Sequence, residues 1–230
     1  MRLGAFLTSL LLAGPSHAEP PRPVLVELFT SQGCSSCPPA DALLGELAGR
    51  PGVFALAWHV DYWDGLGWKD RFSSADATQR QYDFAKRLGL GSVYTPQLVI
   101  DGVTETVGSD AGAADAAIKA AAARPVEGPS VALEAGPDGH QWIALGEGPN
   151  LAASVWLIGY DRQQTTPVGR GENAGRSLTE YQVVRRATRL GAWTGAAASF
   201  PLPAREGEGE LVVVEPDSPG PMLTVRDIAR

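Results

Sequence analysis

The stretch VLVELFTSQGCSSCPPAD, residues 24 to 41, holds the only two cysteines of the 230-residue chain, Cys34 and Cys37. Its first eight residues are nearly all apolar, as in a strand buried on both faces. Pro38 and Pro39 follow the second cysteine directly. Proline is tolerated best in the first turn of a helix, where the backbone N–H groups have no intrahelical partner. The continuation ADALLGELAGR sets Leu43, Leu44 and Leu47 at helical spacing, and Gly49 and Pro51 end the run. The cysteine pair is therefore expected between a buried strand and a helix start.

Working outward, VFALAWHV (residues 53 to 60) is a second apolar run. A strand, a helix and a strand this close predict a right-handed parallel unit. DYWDGLGWKDRF (61 to 72) reads as an aromatic-rich loop, and SADATQRQYDFAKRLGL (74 to 90) as a helix that Ser74 caps. TPQLVIDGVTETVGS (95 to 109) gives two strands around Asp101-Gly102, a strong hairpin signal. The alanine-rich segment from Ser109 to Ala123 predicts a further helix. The order through residue 123 is β-α-β-α-β-β-α.

RPVEGPS (124 to 130) reads as a linker. After it come seven short strand-like runs separated by Gly, Pro, Asn and Asp, the pattern of an all-β sandwich. At the other end, MRLGAFLTSLLLAGPSHA has an early Arg2, an apolar stretch and a small-residue end, as in a secretory signal peptide. That stretch is short for a bilayer span, and no later segment looks transmembrane. The expected division is a signal peptide over 1–18, an α/β domain over 19–125 and a β-rich domain over 126–230. The expected location is periplasmic or secreted, where disulfides persist. A net charge of −7 argues against nucleic acid as a partner.

The element order and the Cys-x-x-Cys position resemble thioredoxin, with Thr95-Pro96 opening the third strand. The stretches VELFTSQGCSSCPPAD, WHVDYWDGLGWKD, YTPQLVIDG and GRGENAGRSLTEYQVVR resemble a family of exported bacterial thioredoxin-like proteins, domain-of-unknown-function family 1223 (DUF1223). The resemblance implies an α/β thioredoxin-like N-terminal domain plus an all-β, sandwich-like C-terminal domain, and no established activity. It also implies that Pro96 is a cis-proline facing the cysteines, with a substrate peptide lying against Tyr94 and Thr95. Gly33 stands where thioredoxins often carry tryptophan, and Ser35-Ser36 fills the interval between the cysteines.

Three chemistries suit the pair. A structural staple would close so short a loop that it contributes roughly 1 to 2 kcal/mol. In a redox couple, which makes the protein an oxidoreductase, Cys34 near a helix N-terminus gains thiolate character and attacks, while Cys37 resolves the mixed disulfide. That reading needs no cofactor beyond the redox-active disulfide, and its partners are protein thiols or disulfides. His59, Asp61 and Glu27 are candidate tuning groups, and Trp63 a candidate substrate platform. The alternative is copper binding or delivery, with Cys34, Cys37 and His59 as soft-metal ligands. VGRGENAGRS (168 to 177) reads as a long hairpin loop, or as a contact with the other domain or a partner. Arg185, Arg186 and Arg189 read as a solvated strand face, and His140 as structural.

Overall fold

A computed structural model describes residues 22–136 and 139–228; the expected signal peptide lies outside them. The first half follows the expected order: β1 (Val24–Thr30), α1 (Pro38–Ala48), β2 (Val53–His59), α2 (Ala75–Leu88), β3 (Gln97–Ile100), β4 (Thr104–Val107) and α3 (Ala111–Ala122). All seven residues of β1 are buried, as its apolar run requires. Helix α2 starts where the Ser74 hydroxyl accepts from the Ala77 N–H, and ends at Gly89 in the left-handed conformation. Asp101 and Gly102 both take positive φ in the β3–β4 turn. The Asp101 carboxylate is buried against Arg22 and Arg124.

The second half is β5 (Val131–Ala135), β6 (Gln141–Leu145), β7 (Ala153–Pro167), β8 (Ser177–Trp193), β9 (Ala198–Pro201), β10 (Gly209–Pro216) and β11 (Thr224–Asp227). Strands β5, β6 and β9 form a three-stranded sheet. The rest join the first half in one eight-stranded sheet of order β11-β10-β7-β8-β2-β1-β3-β4.

That sheet corrects the expected α/β thioredoxin-like domain followed by a separate sandwich-like domain. The described residues are mostly β, with 40% strand and 18% helix. Strand β2 pairs with β1 on one side and, in parallel, with β8 on the other through Ala57 and Val183. Had the halves been independent, that side of β2 would be an unpaired edge. The cores merge as well: Leu25, Phe29 and Phe84 pack in one cluster with Ile158, Leu211 and Val213. The opposite face of β1 packs on α1 and α3 through Val26, Leu28, Leu44, Leu47 and Ile118. A third cluster joins β7 and β10 to the small sheet through Ile143, Val155, Val212 and Trp193.

Helix α1 shows the same integration. Its Gly45 costs about 1 kcal/mol relative to alanine in a helix interior. A Cβ there would lie 2.6 Å from the Tyr181 ring of β8. The glycine is the footprint of a strand more than 130 positions later.

Candidate functional site

Cys34 and Cys37 form a disulfide at the head of α1. Cys37 is the N-cap residue, with Pro38 and Pro39 opening the helix. Cys34 lies one turn before it, its carbonyl accepting from the Cys37 N–H at 3.3 Å. Both cysteines are fully buried, whereas Ser35 and Ser36 between them are exposed. The Cys34 sulfur lies 3.3 Å from the Ser36 hydroxyl.

Two of the candidate substrate residues, Trp63 and Thr95, meet each other, and Trp63 lies against Gly33, the residue before Cys34. Thr95-Pro96 is cis. The Trp63 indole N–H donates to the Thr95 hydroxyl at 2.9 Å. A side-chain carbon on Gly33 would come within 3.1 Å of the Trp63 Cβ, which leaves little room for a larger residue before Cys34. One at Gly108 would come within 3.0 Å of Leu28, Pro96 and Ala40, so these three side chains close around that glycine. The Tyr94 hydroxyl donates to the Glu105 carboxylate, and the Tyr94 carbonyl accepts from Gln81.

The tuning candidates separate. His59 ends β2 almost fully buried, its Nδ1 2.6 Å from the Asp70 carboxylate. Burial alone would lower its pKa, but Asp70, with help from Glu180 and Asp41, raises it. Burial alone would raise Asp70, but His59 and the N–H groups of Gln32 and Phe72 hold it down. Glu27 points elsewhere, with both carboxylate oxygens bonded to Arg80 at 2.6 and 3.0 Å. Asp61 is bound to Thr78 at the start of α2.

The sequence reading missed the other buried acids. Asp41, in the first turn of α1, accepts from the Thr30 hydroxyl at 2.8 Å, and burial pushes its pKa up to about 6. Glu180, on β8, is buried too; burial pushes its carboxyl up to about 7 while His59 and Gln32 pull it down. Neither Glu180 oxygen makes a hydrogen bond of normal geometry, nor does His59 Nε2. Asp41 had a readable signal: an acid among Ala40, Leu43 and Leu44 on a short apolar helix. Glu180 had none, because only the β2–β8 pairing brings it near.

The β7–β8 hairpin tip closes the site from above. The Asn173 side-chain amide, 1% exposed, donates to the carbonyls of Gln32 and Cys34 at 3.0 and 2.9 Å. The exposed Glu172 carboxylate accepts from the Ser35 N–H, and the Ser35 hydroxyl, with that N–H, lowers its pKa. Gln32 is held on three sides, its N–H by Asp70, its carbonyl by Asn173 and its side-chain oxygen by Trp68. Among the described residues no group of three or more His, Cys, Asp or Glu is placed to hold a metal ion. No helix among them is long and apolar enough to cross a membrane.

Residues 25–215 match the family model of a protein of unknown function, DUF1223. A crystal structure of a protein from Agrobacterium tumefaciens is 30% identical, with TM-score 0.74, and the match covers 92% of this chain and 96% of that one. The protein HBP35 of Porphyromonas gingivalis is 14% identical with TM-score 0.58, over 91% of this chain and 76% of that one; at that identity the likeness is one of fold alone. No curated protein matches significantly. The chain belongs to the DUF1223 family.

Proposed function

We propose that this DUF1223 protein is an exported thiol–disulfide oxidoreductase working through Cys34 and Cys37. The observation that carries the reading is a disulfide at a helix N-terminus, joined by an exposed two-serine link, with Gly33 before it set against Trp63, whose indole N–H donates to Thr95 ahead of the cis Pro96. A staple alone needs no such surround, and a protein with three large core clusters gains little from so short a loop.

In the oxidising direction a client thiolate attacks the sulfur of Cys34. The Cys34–Cys37 bond breaks, a client–Cys34 disulfide forms, and the Cys37 sulfur leaves as a thiolate that takes up a proton. A second client thiolate attacks the client sulfur, which releases Cys34 and an oxidised client. Two electrons pass from client to protein; the reductive direction reverses each step. At the head of α1 the backbone N–H groups and the helix dipole favour thiolate character. Asp41 and Glu180, with pKa values raised toward neutrality, are suited to hold the protons that the pair takes up or gives back. Trp63, Thr95 and Pro96 form the wall against which a client segment lies, with Tyr94 behind it.

The reduction potential tests the proposal. Equilibration with glutathione or dithiothreitol, read by alkylation and mass, should place the pair between roughly −120 and −270 mV. A value below roughly −300 mV would return the pair to a structural role. Cys37→Ala should trap mixed disulfides with clients, and Cys34→Ala should abolish exchange. The copper reading uses the same cysteines with His59. Stoichiometric Cu(I) uptake by the reduced protein, lost in His59→Ala, would replace the redox reading with that one.

A further inference from the structure

Strand β8 has two different edges. Along its whole length it pairs with β7 on one side. On the other it pairs with β2 only at Val183 among the described residues. From Val184 to Arg189 no strand pairs with that second edge among the described residues, and no backbone bond from another segment reaches it. The register also slips in this stretch, leaving Arg185 as the extra residue of a bulge.

This edge forms the floor of a groove of about 620 Å³ whose other wall is the Arg71–Asp76 segment leading into α2. Four arginines line it: Arg71, Arg185, Arg186 and Arg189. Their internal partners are weak or partial. Arg186 meets Glu206 at 3.4 Å with both side chains largely in solvent, and such pairs contribute little. Arg185 sits 3.6 Å from Asp161. Among the described residues, Arg71 and Arg189 bond neutral oxygens, on Gln164 and Ser154. Asp76 and Glu206 are the acids in the lining. In a chain of net charge −7 this gathering of arginine does not reflect general basicity.

We propose that the β8 edge from Val184 to Arg189 and the facing Arg71 form a docking groove for an extended, acidic segment of a partner polypeptide. The free N–H and C=O groups of β8 add the segment as a further strand, and the arginines select carboxylate side chains. Six residues of edge accept a segment of about 20 Å at ~3.3 Å per residue. The Phe72 ring links the groove to the redox site: Arg71 and Arg185 lie over it, and it packs edge-on against His59 at 5.3 Å. Calling the partner a redox client rests on the function proposed above; the binding itself does not.

The test is fluorescence anisotropy with the full chain and a labelled hexapeptide alternating valine and glutamate. Saturable binding is expected, at least tenfold weaker in the Arg186→Glu, Arg189→Glu double variant. It should be lost when glutamate is exchanged for lysine or when alternate peptide amides are N-methylated. Unchanged affinity in the double variant, equal binding of the N-methylated peptide, displacement by inorganic phosphate at matched ionic strength, or no saturable binding would each overturn the proposal. Dithiothreitol reduction of the Cys34–Cys37 disulfide should be the same in the double variant and the parent. A failed redox reading would leave peptide binding intact, so the two failures are separable.

Discussion

Asn173→Ala should expose the disulfide to reductant without unfolding the protein. The Asn173 amide is 1% exposed and donates to two carbonyls, those of Gln32 and Cys34, at 3.0 and 2.9 Å. Both bonds join the β7–β8 tip to the cysteine loop and exist only while the tip is closed. A hydrogen bond of this kind contributes about 0.5–1.5 kcal/mol net, so losing both lowers the free energy of opening by about 1–3 kcal/mol. Because the cysteines are fully buried, any reductant, dithiothreitol included, must wait for that opening. Where opening is fast relative to attack, the rate follows the open population, which rises about 5- to 150-fold. The assay is reduction by excess dithiothreitol at fixed pH, quenched with an alkylating agent and counted by mass. Denaturant unfolding in parallel gives the global stability. A reduction rate within twofold of the parent, with global stability lower by 1–3 kcal/mol, would refute the reasoning: the bonds would stabilise the fold without gating the pair. Glu172→Gln is the companion variant; its contact to the Ser35 N–H is solvent-exposed, and its rate should change little.

Three further outcomes are expected. Glu180 titrates near 7 in the folded protein against 4.5 for the unperturbed side chain. It is the native state that holds the extra proton, so stability present below about pH 4.5 falls as pH rises to about 7, by on the order of 3 kcal/mol; in Glu180→Gln, chemical denaturation across that range should show this decline largely removed. Gly45→Ala gains about 1 kcal/mol of helix propensity but drives a Cβ into the Tyr181 ring; it should lower stability by about 1–3 kcal/mol, and the Gly45→Ala, Tyr181→Ala double variant should recover most of the loss. Trp63→Phe keeps the ring but removes the donor to Thr95; the turnover of a protein client should fall while reduction by dithiothreitol stays within twofold.

Much of the local structure was legible because its causes are local. The apolar run before Cys34, the prolines after Cys37, the Ser74 cap and the Asp101-Gly102 turn each fix a few residues through sterics, burial or a single hydrogen bond. The first seven elements therefore appear in the expected order. The seven strand-like runs of the second half became seven strands, although β7 and β8 reach further toward each other than their apolar cores suggest. The long-range pairings were not legible. Nothing in YQVVRR says that its valine lies beside Ala57, and nothing in GENAGR says that its asparagine closes over Cys34.

The sequence by itself determined the order of the elements and the cysteine pair at the head of a helix, because each depends on a few neighbouring residues. Only the tertiary structure decided that the two halves share one sheet, that Trp63 donates to Thr95, that Glu180 joins Asp41, His59 and Asp70 in a buried titratable cluster, and that Asn173 closes over the cysteine loop. Strand propensity and alternation are satisfied by any partner that covers the edge and the apolar face. The choice of β8 for β2 is made by the packing of whole surfaces, with the Tyr181 ring on Gly45 and Ile158 and Leu211 on Leu25 and Phe29. No single stretch of the chain contains that information.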